Sequence, residues 1–379
     1  MCLGPGRARD RLRLGTPWHL DAPRRVPLLG DPTTMPQIRT EFLSASQAAR
    51  LIARTGTDVV LRGLCAALEA DFARWPAFEK SIRLARHSAR GVIELMPVSD
   101  ARDYAFKYVN GHPANTALGL PTVMAFGLLA EMATGMPVLL ADLTLATALR
   151  TAATSALAAR HLARAGSRSM ALIGAGSQAE FQALAFAVVL GIERLRVFDP
   201  DAGAMRKLAD NLAHAGVPLD IVRCSSSAEA LQGVDIVTTA TAARRRAAVI
   251  DAADVRPGLH INAIGGDSPG KTELAPELLQ RARIFVEYEP QTRIEGELQQ
   301  LPPDTPVTEL WQVLTGAAPG RTSDTQITVF DSVGFALEDY SALRHLRALA
   351  REAGMLEPLD LVPALADPKD LYRLIREAR

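Results

Sequence analysis

A short apolar run in the middle of the chain breaks into a glycine turn, Met170-Ala-Leu-Ile-Gly174-Ala-Gly176-Ser-Gln-Ala179. An alanine-rich helical stretch follows, over about 178–190. A second strand-like run, Leu195-Arg-Val-Phe, then ends at Asp199. Strand, glycine turn, helix, strand and acid in this order describe a dinucleotide-binding unit. The first glycine permits the tight turn. The second lets the backbone approach a pyrophosphate, which rests on the unpaired N–H groups of a helix N-terminus. Ala179 occupies the third glycine position, a tolerated variant. Asp199, 23 residues after Gly176, is placed to accept from a ribose 2′-OH. That favours NAD, because the 2′-phosphate of NADP would meet a carboxylate.

The chain has 379 residues, enough for two domains, and 48% of them are apolar. Its 42 basic and 42 acidic residues balance, which gives no reason to expect nucleic acid or an anionic membrane as a partner. No apolar run reaches membrane-spanning length. Cys2, Cys65 and Cys224 fit no metal motif and read as free thiols of a reducing compartment, so a cytoplasmic location without a metal is expected. Residues 1–34 are rich in Arg, Pro and Gly, lack periodicity and read as a disordered extension. Patterned sequence begins just after Met35, a candidate alternative start.

Residues 35–165 read as an α+β domain. Helices are expected over 47–53, capped by Ser44 or Ser46, and over 57–73. Strands are expected over 92–97, 104–110, 125–131 and 138–142. A long Ala/Leu helix follows over 144–165, capped by Asp142 or Thr144. Residues 166–320 alternate strands and helices at the spacing of a parallel, doubly wound sheet. Residues 321–379 supply a strand near 326–330 and a helix over 334–351, a segment expected to return to the first domain. The fold expected is thus α/β, a Rossmann-type nucleotide domain inserted in an α+β substrate domain, with the ligand cleft at their junction.

Several residues are candidates for chemistry. Ile264-Gly265-Gly266-Asp267 follows a strand whose carboxyl end is where such sheets bind ligands. Asp267 there is either an acid/base over a nicotinamide or part of an ordinary turn, and Lys271 either reaches a phosphate or ribose or is solvated. Glu94 interrupts an apolar run, where a carboxylate needs a reason. Arg83, Lys107 and Arg150 suit a substrate carboxylate if they converge, and are surface charges or salt-bridge partners if they do not. Thr122, Thr241 and Ser332 adjoin strand-like runs and offer hydroxyls to a cofactor.

Taken together, Lys107-Tyr-Val-Asn-Gly-His-Pro, Arg150-Thr-Ala-Ala-Thr-Ser-Ala, Gly174-Ala-Gly-Ser-Gln, Gly265-Gly-Asp-Ser-Pro-Gly-Lys-Thr-Glu-Leu and Val286-Glu-Tyr-Glu-Pro-Gln-Thr-Arg-Ile-Glu-Gly-Glu resemble the ornithine cyclodeaminase/mu-crystallin family. The resemblance covers roughly 35–346 and is closest to the bacterial cyclodeaminases. It implies a substrate carboxylate held by Arg83, Lys107 and Arg150, with Val333 beside the substrate. It implies Asp267 as acid/base and Glu94 near the substrate's amino groups. It places NAD against Thr122, Arg150, Gly174, Gly176, Ser177, Gln178, Asp199, Thr241, Ile264, Gly265, Gly266, Asp267, Lys271 and Ser332. A homodimer built through the non-Rossmann domain is also implied. So is an internally redox-neutral lyase reaction on L-ornithine: hydride leaves the α-carbon, the δ-amine closes the ring, ammonia departs, and the hydride returns to give L-proline. Lysine cyclisation, ketimine reduction, amino-acid dehydrogenation and non-catalytic ligand binding are the alternatives within the resemblance.

Overall fold

The computed structural model describes residues 39–242 and 246–378. The extension read at 1–34, and Met35, lie outside the described residues.

Two eight-stranded sheets organise the chain. The first runs Glu357–Leu359, Thr40–Leu43, Pro137–Asp142, Val123–Glu131, Asp103–Gly111, Val92–Ser99 and Glu79–Lys80, with Leu84–His87 also paired to Val92–Ser99. Four of its strands form an antiparallel meander in which Glu94 pairs with Val109, and Lys107 lies between Met96 and Gly127. Cross-strand partners share a face and successive residues alternate. Glu94, Met96, Lys107 and Val109 therefore all point to the buried face, and each is less than a tenth exposed. Ile93 and Met124 flank Asn110 on adjacent strands, Phe126 stacks on Tyr108 at 5.0 Å, and the three apolar side chains stay exposed.

Every pairing in the second sheet is parallel. Its order is Asp220–Arg223, Arg194–Phe198, Ser169–Ile173, Ile236–Thr239, His260–Ala263, Thr328–Asp331, Arg283–Val286 and Thr308–Glu309. Its central strands are buried on both faces, so they read as continuous apolar runs rather than alternating ones. Chain order reverses between Ser169–Ile173 and Ile236–Thr239. The glycine turn leaves the sheet at that switch point, where ligands of such sheets sit.

The helix Thr144–Leu162 joins the two sheets. It packs against the helices Thr57–Ala73, Ala179–Leu190 and Ala336–Glu352. Its alanines explain how: small side chains at most of its buried positions let several helices approach one backbone. The glycine turn at 174–176 follows the next strand directly.

Several local expectations need correction. The helix over 144–162 is not side-chain capped by Asp142 or Thr144. The Thr144 hydroxyl accepts the Ala125 N–H at 3.0 Å instead, tying the helix start to the neighbouring strand. Ser44 does cap its helix, in a reciprocal box with Gln47 over Ala45–Thr55. The strand Thr328–Asp331 falls inside the segment expected to return to the first domain, yet it lies between two strands of the parallel sheet. Thr272–Leu274, in the stretch that the residue pattern offers as a turn, forms a separate parallel pair with Arg246–Ile250, for which no element is expected. Three residues are too few to display a period, and Gly and Pro just before them mask the strand.

Candidate active site

The meander, the helix Thr144–Leu162 and the helix Ala336–Glu352 bring Arg83, Glu94, Lys107 and Arg150 into one buried cluster. Lys107 Nζ lies 2.9 Å from Asp339, and Arg150 Nε donates to the same carboxylate at 3.1 Å. A terminal nitrogen of Arg150 donates to Glu338 Oε2 at 2.6 Å. Arg83 reaches Glu94 Oε2 at 3.1 Å and donates to the carbonyls of Val333 and Gly334, both at 2.6 Å. Gly334 has φ 75°, and a β-carbon there would stand 2.7 Å from an Arg150 nitrogen. The two guanidinium groups thus flank the Val333-Gly334 backbone.

The three cations do converge, but each is already matched by carboxylates of the protein. Glu338 and Asp339 are the partners that the residue pattern did not flag. They begin an otherwise ordinary amphipathic helix, where acids in the first turn are expected for dipole reasons alone. Burial and the neighbouring Arg150 pull the Lys107 ammonium down to about 8, against the upward pull of Asp339. Burial opposes the charge on Arg83 as well, yet Glu94 and Glu295 outweigh it and raise its pKa.

A second group of buried acids lies under the Ile264–Asp267 loop. Asp331 accepts the N–H groups of Glu297 and Leu298, both at 2.9 Å. Glu297 in turn accepts those of Glu273 and Leu274, at 2.6 and 3.0 Å. Glu273 accepts the Thr241 N–H at 2.8 Å and its hydroxyl. Each carboxylate therefore holds the backbone that carries the next. Burial raises all three; the charge of Glu273 adds to the rise of Glu297, which sits at about 7, and the charge of Glu297 adds to that of Asp331. Glu287, also about 7 through burial and the nearby Glu338, accepts from the Ser332 hydroxyl and from Gly334 N–H at 3.3 Å.

These acids change the reading of four expected cofactor contacts. Gly265 and Gly266 are glycine because β-carbons there would collide with Glu273 and Glu297, not only because a flat ring needs room. The hydroxyls of Thr241 and Ser332 are directed at Glu273 and Glu287. The signal existed in the sequence. Glu287 follows Ile-Phe-Val and Asp331 follows Val-Phe, the same acid-in-apolar pattern that singled out Glu94.

Asp267 stands at the mouth of this group, its side chain half exposed. Lys271 Nζ donates to it at 3.0 Å, and the lysine's charge also reaches Glu273. The charge of Asp267 reaches both Arg83 and Glu295. Ile264, just upstream, donates its N–H to Thr239 at 3.1 Å and extends the parallel sheet into the loop. Thr122 is not joined to the cluster by any hydrogen bond among the described residues; its carbonyl accepts from His112 N–H at 2.8 Å.

At the switch point, Gly174 adopts φ 106°, and a β-carbon on it would stand 2.5 Å from the Ala240 carbonyl oxygen. Only glycine fits. A β-carbon on Gly176 would meet nothing within 4 Å, and Gly176 and Ser177 are exposed, which leaves room against the turn. Gln178 precedes the helix Ala179–Leu190 and donates no cap to it. Ala179 is fully buried, the close helix–strand contact that the third position serves. Asp199 lies beside the turn and accepts Ala175 N–H at 2.7 Å and Asp201 N–H at 2.8 Å. Strand, cradle and acid are thus in contact, as a ribose and a pyrophosphate require.

The family profile of the ornithine cyclodeaminase/mu-crystallin family matches residues 46–354. The chain belongs to that family. An ornithine cyclodeaminase of Agrobacterium tumefaciens (strain Ach5) is 54% identical over 334 residues, covering 88% of this chain and 93% of the relative. A solved lysine cyclodeaminase structure, described for recognition of L-lysine, L-ornithine and L-2,4-diaminobutyric acid, superposes with a TM-score of 0.83 at 32% identity, over 88% of this chain and 99% of the other. An archaeal alanine dehydrogenase dimer with bound NAD superposes with a TM-score of 0.78 at 30% identity, over 86% and 100%. No helix among the described residues is long and apolar enough to cross a membrane, and no group of His, Cys, Asp and Glu among them is arranged to hold a metal ion.

Proposed function

We propose that this chain converts L-ornithine to L-proline and ammonia, with NAD acting catalytically. The observation that carries the reading is the convergence of Arg83, Lys107 and Arg150 at one buried spot whose electrostatics extend to Asp267. The 54% identity to a cyclodeaminase across nearly the whole chain supports the choice of reaction.

The residues present fit NAD. Gly174 and the open side of Gly176 make the cradle, Ser177 and Gln178 lead into the helix N-terminus, and Asp199 is positioned for a ribose. Thr122, Arg150, Thr241, Ile264 to Asp267, Lys271 and Ser332 complete the proposed contacts. When bound, NAD supplies an acceptor for hydride that is returned within the same turnover.

The remaining work falls to the chain. Arg83, Lys107 and Arg150 orient the substrate carboxylate, with Val333 packed beside the substrate, which fixes the α-carbon and removes an entropic barrier. The distal ammonium must lose a proton before its nitrogen can attack, and the departing α-amine must gain one. Asp267 serves both steps, with Glu94 near the amino groups. Its half exposure suits proton exchange. The buried acids beneath hold its loop rigid and keep water from the reacting carbon.

The test is incubation of purified protein with L-ornithine and substoichiometric NAD⁺. Proline and ammonia should form without net NADH; net NADH without proline would defeat the proposal. The archaeal alanine dehydrogenase of the same fold favours one second reading, amino-acid dehydrogenation, which predicts that stoichiometric outcome. Lysine cyclisation is the nearer variant, given the lysine cyclodeaminase neighbour. The same reading makes the protein a cytoplasmic lyase and a homodimer. The exposed Ile93, Met124 and Phe126 on the outer face of the first sheet support the dimer.

A further inference from the structure

Arg83 meets more carboxylate than it can neutralise. Its Nε lies 3.0 Å from Glu295 Oε2, and a terminal nitrogen lies 3.1 Å from Glu94 Oε2. The other terminal nitrogen is taken by the carbonyls of Val333 and Gly334. All three charged side chains are more than nine-tenths buried. Across the cluster, Lys107 and Arg150 pair with Asp339 and Glu338, and the charge of Glu287 also reaches Arg150. On the Arg83 side a single guanidinium faces both Glu94 and Glu295, one carboxylate more than its charge can offset.

The contact with Glu295 is close but misaligned. Among the described residues neither Arg83 Nε nor Glu295 Oε2 has a hydrogen-bond partner. A buried carboxylate oxygen in that condition has lost its hydration without replacing it. Burial accordingly raises the Glu295 carboxyl to about 7; Arg83 opposes the rise, and the charges of Glu94 and Asp267 add to it. Glu295 is also held in place. It ends the helix Glu289–Glu295, and the next turn is pinned by Asp331, which accepts two N–H groups there and leaves no space for a β-carbon on Gly296.

We infer that Glu295 receives the distal ammonium of a diamino-acid substrate, and thereby sets the preference for diamino over monoamino acids. The inference rests on the cyclodeaminase reading above and adds to it a residue that determines specificity. An ammonium brings three donors and one positive charge. It satisfies the orphan oxygen and cancels the surplus in one contact. A monoamino acid of the same length has no group to do either.

The experiment uses the full chain loaded with NADH, which cannot accept hydride from the ligand, and calorimetric titration with L-ornithine and with L-norvaline, which has the same carbon skeleton without the distal amine. Wild-type protein should favour ornithine. Glu295→Gln, which keeps size and removes charge, should weaken ornithine by about tenfold or more and norvaline by less than about twofold, as loss of one charge-assisted hydrogen bond implies. Equal losses for both ligands, or none for ornithine, overturn the assignment. Glu295→Asp withdraws the carboxylate by one methylene and is the second arm. It too should weaken ornithine more than norvaline, and equal losses in it overturn the assignment even where the Gln variant does not fold. Wild-type protein that does not distinguish the ligands overturns the cyclodeaminase reading, and this inference with it.

Discussion

Glu297 lies directly against Gly266: a β-carbon on the glycine would stand 2.6 Å from Glu297 Oε1. The carboxylate has no room to retreat, because it is already held by the N–H groups of Glu273 and Leu274. Gly266→Ala should therefore push it off one of those bonds. Overpacking and a broken buried hydrogen bond together predict a loss of about 1–3 kcal/mol in urea unfolding. Turnover should fall as well, because Asp267 is the next residue. An alanine variant of unchanged stability and activity would show that the acid beneath is free to move.

Asp339 neutralises both Lys107 and Arg150, and only 1% of its surface is exposed. Asp339→Asn keeps the shape and leaves two buried cations short of a partner. Breaking such a pair from one side costs about 3–5 kcal/mol. Chemical denaturation should register a loss of that order. A loss below about 1 kcal/mol, the scale of an exposed pair, would mean that water reaches the cluster.

Much of this arrangement was legible in the residues, for reasons that differ by element. The glycine turn could be read because Gly174 and Asp199 carry a local mechanism at a fixed separation. The parallel sheet could be read because strands covered on both faces are plainly apolar. Glu338, Asp339 and Glu297 could not be assigned roles, because what makes them matter is the side chain they meet from a distant segment. Arg150 and Glu338 are 188 residues apart. The same distance hid the fact that Arg83, Lys107 and Arg150 are paired within the protein. Convergence of three cations was an expectation from resemblance, and nothing in the residue pattern specified which acids would offset them.

Lys107 gives the site a pH dependence. Burial and Arg150 lower its ammonium to about 8, so it is charged below that pH and loses its charge as pH rises through it. Affinity for a simple carboxylate ligand without an amine, such as pentanoate, should fall above about pH 8, by at most about tenfold per pH unit for one proton. Folding carries the opposite sign. The unfolded chain keeps this proton to about pH 10.4, so between about 8 and 10.4 it binds more protons than the native state and stability rises with pH. Lys107→Arg should abolish the limb near pH 8 in calorimetric titrations. A limb that survives the substitution would have its origin elsewhere.

Asp267 differs from the acids beneath it in being half exposed and in meeting Lys271 rather than a backbone N–H. Removing its charge should therefore disturb the fold little, and Asp267→Asn should melt within a few degrees of wild type. NAD affinity should also be retained, since the cradle at Gly174 and Gly176 and the acid at Asp199 are carried by other strands. Turnover is another matter. A single carboxylate that takes a proton from one amine and gives one to another has no substitute in an amide, so proline formation should drop by about 10²-fold or more. Single-turnover measurements separate this from binding: the ornithine Kd should stay within a few fold of wild type while the rate collapses. Loss of ornithine binding with an unchanged rate at saturation would make Asp267 a binding group rather than the acid/base, and would shift that role to Glu94 or Glu295.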